Sequence, residues 1–145
     1  MSNALYDQDF YAWTTEQAGL LRAGKLSEAD LEHIAEEIES MGKSEKRELI
    51  SRLTILLLHL LKWEFQPVRR GPSWRLSIAN TRDALTDHLA DNPSLQSVLE
   101  TSVETAYRRA RRDAALETGL SENTFPAVCP WSFSQMMDED FWPES

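Results

Sequence analysis

A chain of 145 residues, 41% hydrophobic with a net charge of −9, fits one domain, and at that size roughly two thirds of the unfolded chain's surface can be buried. The acidic balance argues against a general nucleic-acid binder, which needs a basic surface to displace counterions. The single cysteine, Cys129, can form neither an internal disulfide nor a thiolate metal site alone. A membrane span needs ~20 mostly apolar residues, whereas the longest uncharged run of the most apolar segment is 53–61. The first ten residues lack a basic-then-apolar leader pattern. A single helical domain, 1–145, in the cytoplasm is expected.

Asp7 can cap a first helix, with Phe10, Trp13, Leu20 and Leu21 at helical spacing until Gly24, which gives a helix over 9–23. Ser27 and Asp30 have the spacing of a capping box, and Leu31, Ile34, Ala35, Ile38 and Met41 make a core stripe that Gly42 ends. The second predicted helix is therefore 28–41, with Glu28, Glu32, Glu36 and Glu39 on its solvated face.

The segment LISRLTILLLHLLKWEF, 49–65, carries apolar residues over most of its circumference. It predicts the hub of an all-α bundle of about five helices: a long hydrophobic helix over 44–66, capped by Ser44 and stopped by Pro67. Leu53, Leu56, Leu57 and Leu60 should be inaccessible. A fourth helix is capped by Ser73, with Trp74, Ile78, Leu85 and Leu89 inward. Asn92 and Pro93 open a fifth that runs to Thr118 and stops at Gly119. In CPWSFSQMM, Ser132 and Gln135 have capping-box spacing, and Trp131 and Met136 sit where a hydrophobic staple packs. A short C-terminal helix and a docked tail bearing Phe141 and Trp142 follow.

The segments LYDQDFYAW, DLEHIAEEIESMG, LLLHLLKWEFQPVRR, SWRLSI and FPAVCPWSFSQMMDEDFWP, in this order, resemble the bacterial DUF29 family, a domain of unknown function. The resemblance covers nearly the whole chain and implies an all-helical bacterial domain. It carries over no activity and no functional residue.

Charge is unevenly spread: residues 1–48 carry 5 basic and 11 acidic side chains, 49–112 carry 10 and 6, and 113–145 carry 0 and 7. Internal complementarity is the simplest reading, with Glu36 or Glu37 paired to Arg75 or Arg82. The basic and aromatic cluster of Arg69, Arg70, Trp74, Arg75 and Arg82, near a helix N-terminus, is the candidate anion site for a phosphate or carboxylate. His59, on the hub's thin polar stripe, is the candidate acid or base. His33 and His88 lie on neighbouring helices, but nothing in the sequence fixes either beside it. HExxH, GxSxG, P-loop and GxGxxG patterns are lacking. No catalytic residue is assigned, and no metal and no cofactor are expected. The preferred reading is a non-enzymatic module that binds a protein or itself, without a membrane or nucleic-acid partner. The alternatives are an enzyme or sensor for a small anion, working through the arginines, Trp74 and His59, and a nucleic-acid accessory protein.

Overall fold

The computed structural model describes residues 2–144, which are predominantly helical with no strand among them. Six α-helices follow in order: α1 Ser2–Gln8, α2 Phe10–Arg22, α3 Leu31–Phe65, α4 Pro72–Asp91, α5 Leu99–Thr118 and α6 Phe133–Met137. Short 3₁₀ turns cover Pro67–Arg69, Pro93–Val98 and Glu122–Thr124. The chain divides into two compact units, Met1–Ser44 and Glu45–Ser145.

The expected break at Gly42 does not occur. The predicted second helix and the hub are one 35-residue helix, α3. A glycine stops a helix by taking a left-handed conformation, and only Gly24 and Gly119 have positive φ among the described residues. Left in right-handed geometry, Gly42 costs only about 1 kcal/mol relative to alanine. Without a proline beside it, the helix continues. Gly24 (φ 73°) and Gly119 (φ 76°) do end α2 and α5, as expected.

In the first unit, Asp9 rather than Asp7 caps α2, its carboxylate accepting from the Ala12 amide at 3.0 Å. Trp13 and Gln17 are buried here. Asp30 is the knot. Its backbone N–H donates to Gln17 Oε1 at 2.7 Å, and its Oδ2 accepts from Trp13 Nε1 at 3.2 Å and faces His33 Nδ1 at 2.7 Å. The His33 ring stacks on Tyr6 with centroids 4.0 Å apart, and Tyr6 donates its hydroxyl to Glu37 Oε2 at 2.9 Å. Glu37 thus has a partner within its own unit, the Tyr6 hydroxyl.

This knot has a pH signature. The Asp30 hydrogen bond raises the His33 pKa against a smaller opposing effect of burial. Burial pushes the Asp30 carboxyl up, but the bonds from His33 and Trp13 outweigh it, and its pKa ends below the ordinary value. A raised histidine contributes stability at low pH that is lost as pH rises through its folded pKa. A depressed aspartate contributes stability that is lost as pH falls through its own. The contribution of this pair is therefore largest between the two. An NMR titration of His33 should show a midpoint above that of a free histidine, and Asp30→Asn should bring it down. An unmoved midpoint in that variant would detach His33 from Asp30.

The second unit holds the core. Leu49, Leu53, Leu56, Leu57, Leu60 and Leu61 of α3 have no exposed surface and Trp63 has 4%. They pack with Ile78, Leu85 and Leu89 of α4, and with Ala106, Tyr107, Ala110 and Ala114 of α5. Pro72 at the first turn of α4 makes Gly71 its N-cap, so Ser73 is not the cap. Pro93 starts a 3₁₀ turn, not the fifth helix, which begins at Leu99. The tail docks as predicted: Phe125, Trp131 and Met136 are core residues, and Ser132 and Gln135 form the capping box of α6. Tyr107 reaches across to donate its hydroxyl to the Pro126 carbonyl at 2.6 Å, and burial pushes its pKa up to about 12.

Candidate functional site

The candidate anion cluster is brought only partly together. Arg82, second turn along from Arg75 on α4, is buried. Its Nε donates to the Met136 carbonyl at 2.7 Å and one Nη to the Phe141 carbonyl at 2.9 Å, while burial lowers its pKa. A guanidinium 4% exposed and hydrogen-bonded to the tail's own backbone is an anchor for the tail. Arg69 and Trp74 lie apart from it, along a cleft of about 260 Å³ with Lys62 and Glu117. There Lys62 pairs with Glu117 at 3.0 Å and lies 4.9 Å from the Trp74 ring centroid.

Arg70 and Arg75 remain together. Arg70 donates Nε to the Trp63 carbonyl at 2.6 Å, and the Arg75 guanidinium lies 5.0 Å from both the Trp63 and Trp142 ring centroids. The two rings are 4.7 Å apart. This stack lines a cleft of about 320 Å³ at the start of α4, with Gly71 and Glu144. Cation–π contact of this kind holds an arginine in place while leaving its edge for hydrogen bonds. Glu144 in the same cleft offsets its positive charge.

His59 is half-buried. Its Nδ1 donates to the Ile55 carbonyl one turn back at 2.8 Å, which accounts for its place on the hub. It lines neither the Arg70–Arg75 cleft nor the Lys62–Trp74 cleft.

Two features carry more. The first is an open cleft of about 540 Å³ between α3 and α4, lined by Glu45, Glu48, Arg52, Ala84, Asp87, His88, Asp91 and Asn92. His88 is buried, with its Nε2 2.9 Å from the Glu45 carbonyl and Nδ1 3.5 Å from Glu48 Oε2. Arg52 donates to Glu48 Oε1 at 2.5 Å, and that bond, more than burial opposes it, lowers the Glu48 pKa. A shallower groove of about 600 Å³ continues along the same helices past Ser51, Ile55 and Thr81. Periodicity alone did not reveal the cleft, because Glu45 and Glu48 precede the apolar run and His88 reads as an isolated residue. The spacing Glu45-x-x-Glu48 was the one available signal.

The second feature is the stripe expected to be core. In the first unit Leu31 is 54% exposed, Ile38 63% and Met41 68%, with Ile34 half-buried and Ala35 exposed. Of the twelve exposed large apolar residues among those described, seven lie before residue 45: Phe10, Tyr11, Leu21, Leu26, Leu31, Ile38 and Met41. The apolar surface is concentrated in the smaller unit. Periodicity correctly gave one apolar face there and could not say what lies on it.

The model of the family described as domain of unknown function DUF29 matches residues 5–142. Comparison with curated proteins and with solved structures finds no match. None of the helices in the described residues is long and apolar enough to cross a membrane.

Proposed function

Because the chain belongs to the DUF29 family, which carries no assigned chemistry, we propose from its surface that it is a self-associating module whose first unit pairs with the same unit of a second copy. The observation that carries this is the exposed stripe on α3. Leu31, Ile34, Ile38 and Met41 follow in steps of three, four and three residues, the spacing of a coiled-coil seam. A unit of this size with two buried side chains among those described, Trp13 and Gln17, gains stability when such a seam is covered. Small neighbours, Ala35 and Gly42, leave room for a close approach.

Charge selects the direction. An antiparallel register setting Leu31 opposite Met41 and Ile34 opposite Ile38 also sets Lys43 opposite the stretch from Glu28 to Glu32 of the other copy. That pairing is isologous, as two-fold dimers require. Sedimentation of the full chain should show a concentration-dependent dimer. Ile38→Glu should weaken association at least tenfold with helicity unchanged. Lys43→Glu should weaken it too and be restored by Glu28→Lys with Glu32→Lys. A chain that stays monomeric at several hundred micromolar would sink this reading.

A further inference from the structure

We propose that Glu45, Glu48 and His88 form a binding site for a divalent transition-metal cation. His88, 7% exposed, lies with Nε2 2.9 Å from the Glu45 backbone carbonyl. A carbonyl oxygen can only accept, so Nε2 carries a proton. In the neutral ring Nδ1 then has a bare lone pair. What it faces is another acceptor, Glu48 Oε2, at 3.5 Å, longer than a good hydrogen bond.

Two acceptors set lone pair to lone pair are stable only with positive charge shared between them. The other carboxylate oxygen, Oε1, is held by Arg52 at 2.5 Å, which turns Oε2 to the histidine. Ligand atoms about 2.1 Å from a tetrahedral ion stand about 3.4 Å from each other, and the Nδ1 to Oε2 separation is 3.5 Å. Glu45, one turn before Glu48, adds a third donor from the Nε2 side of the ring, its Oε2 3.7 Å from Nε2, and one ligand atom from each of the three residues lies within 4.8 Å of the others. Donation of the second imidazole N–H to a backbone carbonyl is how ligating histidines are commonly oriented.

The surroundings favour a cation. The cleft walls carry Glu45, Glu48, Asp87 and Asp91 against Arg52 and His88. One imidazole with two carboxylates suits zinc, iron, manganese or cobalt better than a hard all-oxygen ion. Three protein donors leave a coordination position for water. The three residues belong to the second unit and the Leu31 to Met41 seam to the first, so this site stands or falls independently of the dimer.

The test uses the full chain, stripped by chelator and titrated with Zn²⁺ by calorimetry, with Co²⁺ absorption as a second probe. One equivalent is expected, with the His88 ring resonances, not those of His33 or His59, shifting on Zn²⁺ addition. Glu45→Gln and Glu48→Gln should each weaken binding at least tenfold, and His88→Gln should abolish it. Glu45 and Glu48 are partly exposed, so their glutamine variants keep the test decisive should His88→Gln misfold. If Zn²⁺ does not bind, the contact is an imidazolium–carboxylate pair and the metal site is overturned. It is equally overturned if Zn²⁺ binds as well to the Glu45→Gln, Glu48→Gln double variant.

Discussion

Leu56→Ala is expected to destabilise the second unit by about 2–5 kcal/mol, read as a lower urea midpoint at unchanged slope. Leu56 has no exposed surface and sits mid-way along the buried run from Leu49 to Trp63. Two effects add at such a site: the transfer free energy of the deleted carbons, and the cavity left among neighbours that cannot collapse. Collapse is hindered on every side, because α4, α5 and the tail all contribute buried side chains to the same cluster. A total at this scale is a large share of the 5–15 kcal/mol by which domains are ordinarily stable. A loss below half a kcal/mol would mean that Leu56 is not at the centre of the core. Ile55→Ala, next in sequence but 43% exposed, is the control and should lie near neutral.

Arg82→Met should destabilise the same unit by about 2–4 kcal/mol. Methionine keeps the apolar stem and removes every donor, so the change isolates the guanidinium. Replacing a buried charge with an apolar side chain is often harmless when its partner goes with it. Here the partners stay: the carbonyls of Met136 and Phe141 lose their donors at 2.7 and 2.9 Å. Lysine cannot repair this, since one ammonium does not offer two donors in the fixed fork of an arginine. Loosening should appear first as faster proteolysis after Met137. A methionine variant as stable and as resistant as the parent would show that aromatic packing alone retains the tail.

What was legible in the sequence was what depends on local period and chemistry. The hub was legible because its leucines cover so much of the helix circumference that only a core can take them. The capping box at Ser132 and Gln135 was legible because both partners lie within one turn. Depth along a helix was not. Arg75 and Arg82 lie two turns apart on α4, yet one is exposed beside two tryptophans and the other is covered by a tail some sixty residues later in the chain. No spacing rule encodes that. The setting of His88 is illegible for a related reason: what fixes it is a backbone carbonyl on another helix, and carbonyls leave no mark in a sequence. The stop at Gly42 failed because a glycine only permits a helix to end.

That uninterrupted helix has a consequence for how the smaller unit melts. Starting a helix is the unfavourable step, with a nucleation factor on the order of 10⁻³, whereas extending one adds a hydrogen bond for each residue fixed. The core leucines from Leu49 on hold a finished nucleus, so residues 31–44 are an extension of it and need no start of their own. When α1 and α2 let go, that stretch is left to fray progressively from its free end, with Gly42 the weakest link in the propagation. Loss of helix in the first unit is then a gradual shortening, superimposed on the single cooperative transition of the leucine core.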